Sequence, residues 1–389
     1  DVNALIDQHL TRVRARLARQ EGDIQAQMHH WRAVLEDQPL DNDARRALAW
    51  LMEQQEGAAA ALAWLRECCA RHPFDWHAHV ALLDWSRSEG FEAWETAVRE
   101  LIRIDPRSAW ARRELADLLR AREDYAAAHA ALDHAATLER NTPALHNIRA
   151  SILEDEDRPD EARAECRRAL ALDVDTTFAM RMLLRLCRSP EQRAEEMRFI
   201  QDEIRRQTTS GDAVATFAEL AQPYLTDEEM EAFLKEAHEN RPDLWHTGVQ
   251  LAGHWRNTGR AGEALGLLAS ITERFPLMPR GWLETALCHE AAGDRAAAIR
   301  AGEKARELNP AWGWGMRTLS EFKRKAGDLP GARSVLEETL RQNPGDAITL
   351  GWLAEVLWQQ GEKDAALERL SSAVNLDPGY NWAWDRLSE

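Results

Sequence analysis

Between Ile348 and Tyr380 the chain reads ITLGWLAEVLWQQGEKDAALERLSSAVNLDPGY, with two apolar runs separated by a polar break that carries a glycine. In each run the apolar positions recur at intervals of three and four, which places them on one face of a helix. The stretch therefore predicts a helix, a turn at Gly361, a second helix and a turn marked by Pro378. Glycine supplies the backbone freedom that ends the first helix. Proline cannot continue the second, and it disfavours helical conformation in the residue before it. Ala, Leu, Glu and Arg dominate the whole chain, so strands have almost nowhere to form.

The same unit recurs. Pro242, Pro276, Pro310, Pro344 and Pro378 are each 34 residues apart, stepping back further lands on Pro106, and Pro39 and Pro73 continue the series one residue out of phase. Seventeen residues after the proline stands a glycine in five units (Gly90, Gly259, Gly293, Gly327, Gly361). Small alanines follow in phase at Ala128, Ala162, Ala264, Ala298, Ala332 and Ala366, where two helices of a hairpin would approach closely. A fixed period of this length is the mark of a repeat architecture.

The period and the order Leu353, Gly361, Ala366, Leu370, Ala373, Pro378 resemble the tetratricopeptide repeat (TPR) family. That resemblance implies an all-α fold, a right-handed α-solenoid of about eleven helix-turn-helix hairpins. With the proline at family position 32, the repeats fall at 8–41, 42–75, 76–108, 109–142, 143–176, 177–210, 211–244, 245–278, 279–312, 313–346 and 347–380, and 381–389 begins another. Because the chain stops in mid-repeat, it is expected to be part of a longer protein. The stretch 177–244 diverges, lacking the turn glycine. There "CRSPEQ" and "QPYLTDEEM" read as helix restarts, with Ser189 and Thr226 as N-caps.

Charge and chemistry narrow the function. A formal charge of −17 argues against wholesale nucleic-acid binding, which needs a basic surface. The five cysteines form no CxxC and sit in helical stretches, so reduced thiols and a cytoplasmic setting are expected. No apolar run is long enough to span a bilayer, and the charged start does not read as a secretory leader, which leaves open one removed before Asp1. His77 and His79, two apart on a helix, point in different directions and make a poor metal site. The acidic run from Leu153 to Ala162 reads as a solvated turn, not a calcium loop. No nucleotide, zinc-protease or serine-hydrolase motif occurs, so neither an enzyme nor a cofactor is expected.

By resemblance, positions 2, 5, 9, 12 and 13 of each repeat line the concave groove, on the first helix. They hold His9, Arg12, Arg16 and Arg19 in the first repeat, Trp50 in the second, and Trp110, Arg113 and Arg120 in the fourth. The sixth supplies Phe178, Arg181, Arg185 and Arg188. The tenth supplies Trp314, Arg317, Arg324 and Lys325, and Trp358 and Trp382 follow. These positions are net positive, whereas the rest of the chain carries the acidic excess. The expected partner is accordingly a protein or peptide segment, with an acidic one favoured through Arg–carboxylate pairing. The competing account is that these arginines pair with glutamates on neighbouring helices. The Lys–Asn pattern of chaperone-tail adaptors is absent. Two other readings stand beside the scaffold: the recruiting arm of a larger enzyme, and an RNA-binding repeat protein. Self-association is compatible with either. Trp31, Trp255, Trp282 and Trp384 fall instead at core positions of the repeat.

Overall fold

The structure, a computed structural model, describes residues 2–21, 23–139 and 141–388. Those residues form twenty-three α-helices, one short 3-10 turn and no strand. The chain divides into two compact units, Asp1–Leu220 and Ala221–Glu389. Outside the divergent stretch around 212–221, successive helices pack as antiparallel hairpins, and several first helices also pack on the first helix of the next hairpin. In the second unit that series runs through Trp245–Asn257, Pro279–Ala291, Gly313–Lys325 and Ala347–Gln359. In the first unit Asn42–Glu56 packs on Trp76–Ser86, and Ala109–Ala121 on Pro143–Asp155. Each hairpin thus buries its apolar stripe on a neighbour, the arrangement of an all-α solenoid.

The alanine marker lies where helices touch: Ala128, Ala162, Ala264, Ala298, Ala332 and Ala366 have no exposed surface. Around Ala332 and Ala366 the core is completed by Leu336, Leu353, Val356 and Leu370. The turn marker is a backbone requirement. Gly259, Gly293, Gly327 and Gly361 have φ of 81–86°, and the next residue donates its N–H back into the helix, as in Asp294 to His289 O (2.9 Å) and Glu362 to Leu357 O (3.0 Å). This closes the helix C-terminus with a left-handed residue. Two turns do the same without glycine. Glu123 (φ 62°) and Asp157 (φ 56°) stand in the glycine's place, and Asp124 and Arg158 donate to Leu119 O and Leu153 O.

In the divergent stretch Ser189 caps Pro190–Arg206, and Thr226 caps Asp227–Asn240 in a reciprocal box with Glu229. The five cysteines are unpaired with one another, and burial pushes the thiols of Cys69, Cys166 and Cys288 up to about 12. They behave as small apolar residues. No helix among the described residues is long and apolar enough to cross a membrane.

Candidate functional site

In the first unit most of the cations expected to line a groove are met by carboxylates of the chain itself. Arg113 lies 2.5 Å from Glu139, and Arg120 bonds both Asp117 and Asp155. Arg181 bonds Glu219 through two nitrogens at 3.1 and 2.8 Å, and its hydrogen bonds hold the Glu219 carboxyl below the usual range. Arg185 reaches Glu154 at 2.9 Å, and Arg188 lies 3.6 Å from Asp157. A ligand carboxylate at these places would have to displace one already bound. Arg16 and Arg19 are exposed, and the side chain of His9 lies outside the described residues.

A second device accounts for other arginines. Asp41, Asp75 and Asp346 each cap the first helix of a hairpin, accepting from Ala44 N, from His77 and Ala78 N, and from Thr349 N. The same carboxylates accept from an arginine one repeat earlier: Arg12, Arg45 (2.6 Å) and Arg317 (3.0 Å). Arg45 is 1% exposed. Arg317 also donates to Thr349 Oγ1 at 2.8 Å. These aspartates serve as hinge pins between repeats, and the pairing of Arg317 is one of them.

The tryptophans divide as well. Trp50 packs half-buried against the cluster of Trp31 and Leu48, and Trp110 meets Trp76 edge-on at 5.8 Å. Trp31 is buried, while Trp255 donates to Glu231 at 3.0 Å. Trp282 and Trp384 share one geometry, donating their indole N–H to the carbonyls of Pro276 (2.8 Å) and Pro378 (3.0 Å). Trp384, expected in the core, is 49% exposed, because its contact is with the turn. Phe178, Trp314, Trp358 and Trp382 are exposed, and Trp358 carries Lys363 over its ring.

Residues converge in the second unit on a cleft of about 420 Å³, formed by three successive first helices. Glu321 and Arg324 come from Gly313–Lys325; Trp352, Glu355 and Val356 from Ala347–Gln359; Tyr380 from the turn before Asn381–Ser388 and Trp382 from that helix. Tyr380 and Trp382 stack at 5.7 Å. A Cβ on Gly351 would lie 2.6 Å from Tyr380 Oη and 3.0 Å from Trp382 Cζ3, so the glycine makes room for both rings. Burial raises the Tyr380 hydroxyl above its usual range. Both carboxylates are held: Arg324 bonds Glu321 through two nitrogens, and Arg386 reaches Glu355 at 2.9 Å while lying over Trp382. The cleft is therefore aromatic in character and near neutral.

Of the expected residues, this cleft gathers Arg324 and Trp382. Trp314, Arg317, Lys325 and Trp358 lie outside its lining, and Lys325 sits 3.8 Å from both Glu290 and Glu321. Trp352 and Tyr380 were missed, since they stand at neither a lining nor a core position of the repeat. Among the described residues no group of three or more His, Cys, Asp or Glu is placed to hold a metal.

Two family models, both described as tetratricopeptide repeat, match the chain, one at 323–386 and the other at 92–173 and 256–311. No curated protein matches. Among solved structures, MamA is 16% identical over 44% of this chain and 96% of its own, with a TM-score of 0.36. A thermophilic TPR protein of Thermus thermophilus, TTC0263, is 16% identical over 46% of this chain and 97% of its own, with a TM-score of 0.38. Repeats of this kind are in general scaffolds for protein interaction. The 34-residue hairpins, their left-handed turns and both family models agree, and the chain belongs to the tetratricopeptide repeat family.

Proposed function

We propose that this scaffold holds a segment of a partner protein along the first-helix face of the 221–389 unit, with an apolar side chain seated in the aromatic cleft. The observation that carries this reading is the cleft itself, about 420 Å³ lined by Trp352, Tyr380 and Trp382. Pockets that bind side chains are mainly aromatic and apolar with few polar groups, and buried aromatic anchors dominate such affinities. Trp314, Ile348 and Trp382 recur at 34-residue spacing and are 41%, 46% and 39% exposed, which offers a segment a row of apolar footholds. The groove residues expected in the 1–220 unit contribute less to this reading, because carboxylates of the chain engage most of their arginines.

The test is a selection of twelve-residue peptides, displayed internally so that no terminus is free, on the 389-residue chain. Selected peptides are expected to lose at least about tenfold in affinity when Trp382 is changed to alanine, with helical content unchanged in circular dichroism. Peptides that bind Trp382→Ala and Trp352→Ala as tightly as the parent would overturn the reading.

A further inference from the structure

Arg280, near the start of Pro279–Ala291, is set apart from the cations described above by an indole ring and by a carboxylate that a second arginine already holds. Its guanidinium carbon lies 4.6 Å from the centre of the Trp314 ring. Its closest carboxylate, Glu284, is 3.7 Å away, too far for a hydrogen bond. Glu284 is 2% exposed and already accepts from Arg256 Nε at 2.8 Å. Two guanidiniums thus share one buried carboxylate, which leaves one positive charge uncompensated in a chain of net charge −17. No described residue hydrogen-bonds the Arg280 guanidinium. Burial accordingly disfavours its charged form, offset only in part by Glu284.

Such an arginine is set up to receive an acceptor. Lying over an indole, the guanidinium keeps N–H donors that no described residue takes, and these suit a planar, two-oxygen partner. A partly desolvated cation gains more from a new ion pair than an exposed one does. Arg280 stands at the position in its repeat that Trp314, Ile348 and Trp382 hold in theirs, so the charge begins the row of apolar footholds. The geometry points to the side-chain carboxylate of an Asp or Glu in the partner segment as the acceptor for Arg280, with Trp314 as its platform. This inference rests on the segment-binding reading and adds to it a polarity: acidic residue at Arg280, apolar residue in the cleft.

The test uses the selected peptides, synthesised with acetylated and amidated ends and titrated by fluorescence polarisation on the full chain. They are expected to contain an Asp or Glu whose change to Asn or Gln weakens binding by at least about tenfold. Arg280→Gln should cost the same, the two changes together no more than either alone, and Arg280→Lys an intermediate amount. An amide peptide that binds equally well overturns the assignment, and so do losses that multiply in the double change. If Arg280→Gln fails to fold, the amide peptide on the unaltered chain decides alone. Selected peptides that need Trp382 but no acid overturn the role of Arg280 and leave the segment-binding reading standing. Failure to select any peptide overturns both.

Discussion

At Glu123 an ordinary side chain holds a left-handed backbone, φ 62°, that four other turns give to glycine. An L-residue there carries about 1–2 kcal/mol of steric cost. Glu123→Gly is expected to raise stability by about 1 kcal/mol, less than the full steric cost because glycine also loosens the unfolded chain. Urea unfolding read by circular dichroism checks it, and an unchanged midpoint counts against strain at this turn. The sequence pattern places Asp157 in a turn but cannot reveal that it and Glu123 hold the left-handed angle, because the requirement is a dihedral and glycine is only its commonest sign. Protonation acts at the same scale. Burial lowers His79 and His238 below the usual 6.5. The folded chain therefore binds fewer protons than the unfolded one as pH falls through that value, and stability present above it is lost on acidification. The unfolding midpoint should fall between about pH 7.5 and 5.5, and His79→Leu should flatten the fall.

Between elements, the tie from Arg45 to Asp75 shows how one repeat fixes the next. Asp75 caps one helix and neutralises an arginine that is 1% exposed, so Asp75→Ala leaves a buried charge unpaired and an N-terminus uncapped. The expected loss is about 3–5 kcal/mol, and a change under about 1 kcal/mol in denaturant unfolding would refute the hinge-pin role. Ala332→Trp tests the hairpin interior instead. Ala332 has no exposed surface, and forcing an indole into its place should cost about 1–3 kcal/mol by overpacking. Helix-on-helix contact was legible at such alanines, since period and small size together mark a close approach. The partners of Arg113, Arg181 and Arg317 were not. Their carboxylates lie 26, 38 and 29 residues away, on elements whose relative rotation a one-dimensional pattern does not carry.

Across the whole molecule, the acidic charge and the carboxylate-engaged arginines make an RNA-like polyanion a poor match for the faces of either unit. Binding through an aromatic cleft with one arginine contact should weaken only modestly as salt rises, whereas multiple phosphate contacts would give a steep fall. Affinity of a selected peptide at about 50 and 300 mM salt separates the two, and a loss beyond about a hundredfold would exclude the proposed mode. Arg280 itself was within reach of the repeat register, which places it with Trp314 and Trp382. What singled it out, two arginines against one buried carboxylate, is visible only in three dimensions.

The first-helix N-caps of the second unit differ in kind. Asp346 is pinned by Arg317, whereas Leu244, Met278 and Trp312 offer no side-chain cap at the same place in their repeats. The joint at 346 is thus pinned through a helix cap, whereas those at 278 and 312 are tied only between helix bodies, by Arg256 to Glu284 and by Lys325 to Glu290. Pulled from its ends in an optical trap, the 221–389 unit should yield first across the joints that lack a capping tie. A partner segment lying on Arg280 and Trp314 spans the joint at 312 and would act as a splint, so occupancy of that face should raise the force at which the unit gives way.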